Sequence, residues 1–242
     1  QFCCAYVEPN SATLRQLSHE HDYMNFCLIE IGQRPDEPTN ASQLLPLPTQ
    51  TTYGNFALKW VDMVARLNES NRQIIASYET WDATKTGHIC DSMGDVFNRH
   101  RFSTEYAVFG MRRVADEIVA LLWCLEAQEA TGEYPSHVKA ESIGRAFKIG
   151  YQGPGGLVAR HEVLLRTLND LSNTFKHSFV QSDVIRVGTD EPVVVALNLK
   201  DAKLANGQSF YTVSLAELVR DYDHFFQESR AWLLAYCERQ SL

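Results

Sequence analysis

Six polar side chains fall on one side of the stretch Leu157–Val180: Glu162, Arg166, Asn169, Asp170, Asn173 and His177. At 3.6 residues per turn, Arg166, Asn169, Asn173 and His177 lie within roughly 80° of one another. Lys176 adjoins His177. An imidazole titrates near neutrality and is a natural general acid or base. Asn173 is one helical turn away, where its amide can orient that ring or a bound group. Arg166 and Lys176 supply positive charge for an anion. Arg166 stands three turns from His177, about 16 Å along a helix, so the two meet only through a long ligand or a second chain. The same stripe also reads as an internal hydrogen-bond network that fixes helix register, or as a solvated helix back. Asparagine in a helix interior gives up as much as about 0.7 kcal/mol against alanine. Two of them on one stripe call for compensation that plain solvent exposure does not provide. A network and a site both provide it.

The segment Leu168-Asn169-Asp170-Leu171-Ser172-Asn173-Thr174-Phe175-Lys176-His177 resembles the L-N-x-L-x-N-x-x-K-H helix of bacterial helical-bundle proteins of the HEPN-like type. The resemblance implies a small bundle, often a homodimer, that binds or acts on RNA or a nucleotide in a defence or toxin–antitoxin setting. On that reading His177, Asn173 and Arg166 are the catalytic candidates, and Asn169, Lys176, Gly155 and Gly156 are the ligand-binding ones. The ribonuclease members carry an arginine a few residues before a histidine. Here ten residues stand between Arg166 and His177, so the cleavage motif is absent from this helix. The alternative is a non-catalytic module that binds a partner protein, with the stripe as its internal network.

Other chemistry finds less support. Gly153-Pro154-Gly155-Gly156 precedes the stripe, and backbone N–H groups at a helix start can hold phosphate. The loop matches neither a P-loop nor a dinucleotide fingerprint, and a plain helix-start loop is the simpler reading. A carboxylate-bridged di-iron bundle needs paired Glu-x-x-His motifs; Asp221-x-x-His224 is the nearest match and stands alone. His19-x-His21-Asp22 and His88-x-Cys90-Asp91 have ligand-like spacing, but short pairs of this kind arise by chance. No metal or cofactor is expected. There is no Gly-x-Ser-x-Gly elbow. Cys90 beside His88 is the one thiol in a polar loop, and an inert cysteine is the favoured reading.

The elements that must position the stripe are helical. Trp60, Val64, Leu67, Ile74, Tyr78 and Trp81 predict a helix over 56–83. Ala107, Met111, Val114, Ile118, Leu121 and Leu125 give a bundle seam in a helix over 103–131, with Ser103 as its cap and Gly132 as its stop. The apolar side of 157–181 carries Leu157, Leu164, Leu168, Leu171, Phe175 and Phe179. Ser214 and Glu217 form a capping box for a last helix over 214–238. Runs at 184–187, 193–197 and 209–213 predict a small antiparallel meander. The expected fold is mainly α: an antiparallel bundle of four long, matched helices with an inserted β meander at about 184–213. Residues 1–55 form an N-terminal arm, with a helix from Ser11 to about Ile31 and a strap containing Pro35, Pro38, Pro46 and Pro48. Residues 56–242 form the bundle domain.

Composition bounds these readings. The 242 residues are 45% hydrophobic and 21% charged, and the net charge is −8. A sizeable core is possible and a broad nucleic-acid surface is not. A local patch is: Lys139, Arg145, Lys148, Arg160, Arg166 and Lys176 face only Glu141, Glu162 and Asp170 across 139–176. Six cysteines without a C-x-x-C fit a reduced, cytoplasmic setting. No apolar run reaches membrane-spanning length, and no membrane partner is expected.

Overall fold

The computed structural model describes residues 26–37, 44–85, 93–177, 190–199 and 208–240. The architecture is mainly helical with a two-stranded antiparallel sheet. In chain order the described elements are α1 (Phe56–Lys85), α2 (Met93–Thr131), α3 (Ile143–Lys148), α4 (Leu157–Arg160), α5 (Glu162–His177), β1 (Val193–Leu199), β2 (Gln208–Ser214) and α6 (Leu215–Gln240). The helices are unequal: 30, 39, 6, 4, 16 and 26 residues. Four matched long helices therefore do not describe them.

The helix α1 runs antiparallel to α2, because residues that meet sum to a near-constant number: Ser77 with His100, and Ser70 with Gly110. Gly110 allows the closest approach. A Cβ there would stand 2.1 Å from Ser70 Oγ, whose hydroxyl donates to Arg66 O within α1. All six seam residues of α2 are buried, as their period demands. The helix nevertheless starts at Met93. Ser103 is buried inside it and caps nothing. The helix therefore begins ten residues before its expected cap at Ser103.

The central stretch is also two helices rather than one. A short 3-10 turn at Pro154–Gly156 leads into α4, and the backbone breaks at His161, with φ −102° and ψ 19°. The His161 N–H turns to Ala159 O instead of continuing the ladder. Contacts with α6 compensate for the break. Arg160 gives two N–H groups to Glu228, at 2.8 and 3.3 Å, and the His161 ring packs edge-on against Phe225 at 5.5 Å. Leu164, Leu165, Leu168 and Leu171 of α5 are buried and Phe175 is half-buried. Phe179 lies outside the described residues.

The sheet pairs Val193 with Ser214 through Leu199 with Gln208. Val194 and Ala196 point into the core, in the alternation of a half-buried strand. The first expected strand, 184–187, lies outside the described residues. Ser214 Oγ accepts the Glu217 N–H at 3.2 Å and starts α6 as a cap should. Along α6, Leu215, Leu218, Tyr222, Phe225, Ser229 and Tyr236 are buried.

The N-terminal segment shares this core. Ile29, Ile31, Leu45 and Leu47 are buried with the helices. Polar residues of α1 hold the segment by its backbone. Asn71 receives the Ile29 N–H at 2.9 Å and donates to Ile29 O at 2.8 Å. Asn68 donates to Glu37 O at 3.0 Å, and Arg72 to Pro35 O at 2.7 Å. From α6, Asp223 accepts the Glu30 N–H and Gln227 donates to Glu30 O. Residues 26–31 are not helical, so the expected helix from Ser11 does not extend to Ile31; its earlier part lies outside the described residues. No described helix is long and apolar enough to cross a membrane.

Candidate functional site

The polar stripe of α5 is divided among different neighbours. Arg166 is exposed, pairs with Glu162 at 2.6 Å one turn earlier, and stacks over the Phe147 ring of α3 at 4.4 Å. Asn169 turns inward and accepts from Arg112 Nη2 of α2 at 3.0 Å. Arg112 also pairs with Asp116, which accepts the Ile143 N–H at 2.7 Å where α3 begins. Burial lowers the Arg112 pKa to about 10, still far above neutrality, so the guanidinium stays charged. Thus Asn169 belongs to a chain of bonds that joins α2, α3 and α5. Asn173 is exposed. Lys176 lies over the Phe109 ring at 5.7 Å. His177 closes α5, and its side chain lies outside the described part.

Gly155 and Gly156 are engaged within their own loop. The Gly156 N–H goes to Gly153 O at 3.0 Å, and Gly155 O accepts from Arg160 Nη1 at 2.6 Å. The helix that follows them has four residues, so it is not the long dipole that the sequence expected there. Beside this loop, Arg160, His161 and Glu228 meet, with His161 Nε2 3.4 Å from Glu228 Oε2. The Glu228 carboxyl is held below its ordinary pKa, first by the Arg160 hydrogen bond.

Of the described stripe residues, Lys176 lines an open cavity. A cleft of about 580 Å³ lies between α1, α2 and the end of α5, with Arg66, Arg113 and Lys176 on its walls. Tyr106 and Phe109 line the same cleft, and Tyr106 is 66% exposed, an unusual position for a large aromatic ring. Among its described lining residues Glu69 is the carboxylate. A hydrogen bond from Gln73, and then Arg72, keep that group below its ordinary pKa and hence ionised. Arg113 lines the cleft and commits its Nε–H to Glu117 at 2.7 Å. Three cations from three helices around an exposed phenol ring suit a ligand with both anionic and aromatic parts. Arg66, Tyr106 and Arg113 were missed because they sit on polar faces of two helices that carry no motif. Only the antiparallel pairing of α1 with α2 brings them together.

A second histidine was missed because it lies before the expected start of α2 at Ser103. His100 is buried against Trp81, with Nδ1 3.1 Å from Ser77 Oγ and 3.2 Å from Ser77 O, and Nε2 3.4 Å from Val193 O. Burial pushes its pKa below the ordinary 6.5. The unfolded chain therefore takes up the proton first as pH falls. The stabilising contribution is fully present above pH 6.5 and is lost as pH drops through the lower folded-state value. We expect the denaturation midpoint of the wild type to fall more between pH 7.5 and 5.5 than that of His100→Gln. Equal slopes for the two proteins would remove His100 from this account.

Among the described residues no group of three or more His, Cys, Asp or Glu could hold a metal ion. The expected pairs at His19/His21 and His88/Cys90 lie outside the described residues. Cys124 and Cys237 are buried, and Cys124 is pushed up to about 11 by that burial, the behaviour of a small hydrophobe rather than a nucleophile. No family model, no curated protein and no solved structure matches this chain.

Proposed function

We propose that the chain is a HEPN-like helical bundle that binds a nucleotide, or a nucleotide unit of RNA, in the cleft between α1 and α2 without cleaving it. The observation that carries this reading is the ring of Arg66, Arg113 and Lys176 around the exposed Tyr106. The rings of Tyr106 and Phe109 offer a base a stacking surface, and the guanidinium groups offer a phosphate paired N–H donors. The reading is one of binding alone: among the described lining residues Glu69 is the carboxylate, and it is ionised and already bonded to Arg72 and Gln73. In this reading Asn169 keeps α5 in register and Lys176 is the stripe's contact with ligand.

The test is a titration of ADP and of a short single-stranded RNA into the wild type, Tyr106→Ala and Arg66→Ala. Removing a stacking ring costs about 1–3 kcal/mol, so Tyr106→Ala should weaken binding roughly 5- to 150-fold. Arg66→Ala should weaken binding and flatten its dependence on salt. The RNA should be recovered intact. Binding that is absent, or unchanged in both variants, rejects the reading.

A second reading is the non-catalytic partner-binding module. The inward turn of Asn169 to Arg112 favours it, since that bond explains one of the two asparagines without a ligand. Leu58, Val163 and Phe210 are exposed apolar side chains that a partner could cover. Retention of a protein partner by Tyr106→Ala and Arg66→Ala, with no nucleotide bound by the wild type, would favour it.

A further inference from the structure

On charge alone, Glu69 is out of place. It lines the cleft together with Arg66, Arg113 and Lys176, and it opposes a phosphate there. It is nevertheless held in position. Its Oε2 accepts from Arg72 Nη1 at 2.9 Å, and its Oε1 from Gln73 Nε2 at 2.9 Å. Arg72 is itself anchored, because its Nε–H goes to Pro35 O at 2.7 Å. These bonds occupy one lone pair on each carboxylate oxygen, and an ionised carboxylate has about four acceptor sites. Glu69 therefore offers a pair of parallel acceptors and no donor. Gln73 lines the same cleft, and its side-chain carbonyl is a further acceptor. The pairing of Ser77 with His100 and of Ser70 with Gly110 sets Tyr106 level with Gln73, one turn from Glu69. Arg66 stands two turns from Gln73, about 10 Å along the axis. A base stacked on Tyr106 thus has its edge beside Glu69 and Gln73 when its phosphate reaches Arg66 and Arg113.

We propose that the cleft selects guanine, with the Glu69 carboxylate accepting the N1–H and the 2-amino group of the base. This inference rests on nucleotide binding at the cleft. Guanine is the base whose pairing edge carries two adjacent donors, which match the two carboxylate oxygens. Adenine places a bare N1 at the same point, and its lone pair faces the carboxylate. Cytosine does so through N3. Uracil offers a single N–H between two carbonyls, which the carboxylate repels.

The experiment is a calorimetric titration of GMP, inosine monophosphate and AMP into the wild type and Glu69→Gln. The wild type should bind GMP about 5- to 150-fold more tightly than AMP, the range for a bidentate contact to a base. Inosine monophosphate keeps the N1–H and lacks the amino group, so it should fall between the two. In Glu69→Gln the affinities for GMP and AMP should differ by no more than about twofold, because an amide presents one acceptor and one donor. The ratio is the readout, since loss of a carboxylate favours any phosphate in this cleft. The Glu69 side chain is 54% exposed on a helix, and glutamine is as good a helix former as glutamate, so the variant keeps its fold. AMP that binds as tightly as GMP to the wild type overturns the inference and leaves nucleotide binding intact. A guanine preference that survives in Glu69→Gln overturns it too, because the base edge then meets another group. If none of the three binds the wild type, the nucleotide reading fails together with the inference.

Discussion

Gly153→Ala should destabilise the protein by about 4 kcal/mol, from roughly 1–3 for the backbone region and 1–3 for the overlap. Gly153 has φ 73° and ψ 166°, a region that only glycine occupies without strain. A Cβ at this position would stand 2.6 Å from Val158 Cγ2 and 2.9 Å from Val158 N. The second contact is with backbone, so no rotamer change relieves it. The consequence is specific: Val158 is fully buried, and displacing it shifts α4 off the core. Gly150→Ala is the control. Gly150 also has a left-handed φ of 69°, but nothing lies within 4 Å of its added Cβ. Its cost should be that of the backbone alone, about 1 kcal/mol. Urea denaturation of the two variants measures the difference, and equal midpoints would refute the assigned clash.

Asn71→Leu should cost about 3 kcal/mol. The side chain is nearly isosteric, so the loss comes from hydrogen bonding rather than volume. Asn71 and Ile29 are each 2% exposed, and the amide satisfies both the N–H and the C=O of Ile29. Leucine orphans both groups in the interior, and each unsatisfied buried group costs about 1–3 kcal/mol. For a chain of this size the melting temperature should fall by about 6–12 °C. The same variant should make the segment 26–37 more readily cleaved by protease under native conditions, because the bonds from Asn68 and Arg72 and the Phe26–Tyr78 ring contact then hold it to α1 without the Asn71 clamp. A melting temperature within a degree of wild type would mean that Ile29 finds other partners.

Some of this was legible in the sequence because it depends on a period. The seam from Ala107 to Leu125 repeats at helical spacing and is buried. The Ser214 cap of α6 needed only a hydroxyl and an acid three residues on. Contacts between elements were not legible. Nothing near Asn169 in the chain announces Arg112, 57 residues earlier. The break at His161 contradicts the local pattern, and the partners that stabilise it, Phe225 and Glu228, lie on the last helix. The start of α2 at Met93 was hidden by Gly94, whose low helix propensity is outweighed by the packing of the turns that follow. The stripe itself was read as one site, whereas neighbouring helices divide it. Arg112 draws Asn169 inward, and the groove along α1 and α2 receives Lys176.

The clasp on Glu30 has a temporal meaning. Its two polar partners, Asp223 and Gln227, lie 193 and 197 residues downstream. Closing a loop of that length has an entropic cost that grows slowly with length, yet it is among the most non-local contacts the chain makes. As the polypeptide emerges during synthesis, Ile29 finds Asn71 after only 42 residues. Its neighbour Glu30 must wait until α6 has been made. Assembly therefore has a first latch, set by α1, and a second, set by α6 more than 150 residues later in synthesis. A ribosome-bound chain that stops short of residue 223 has the first latch alone.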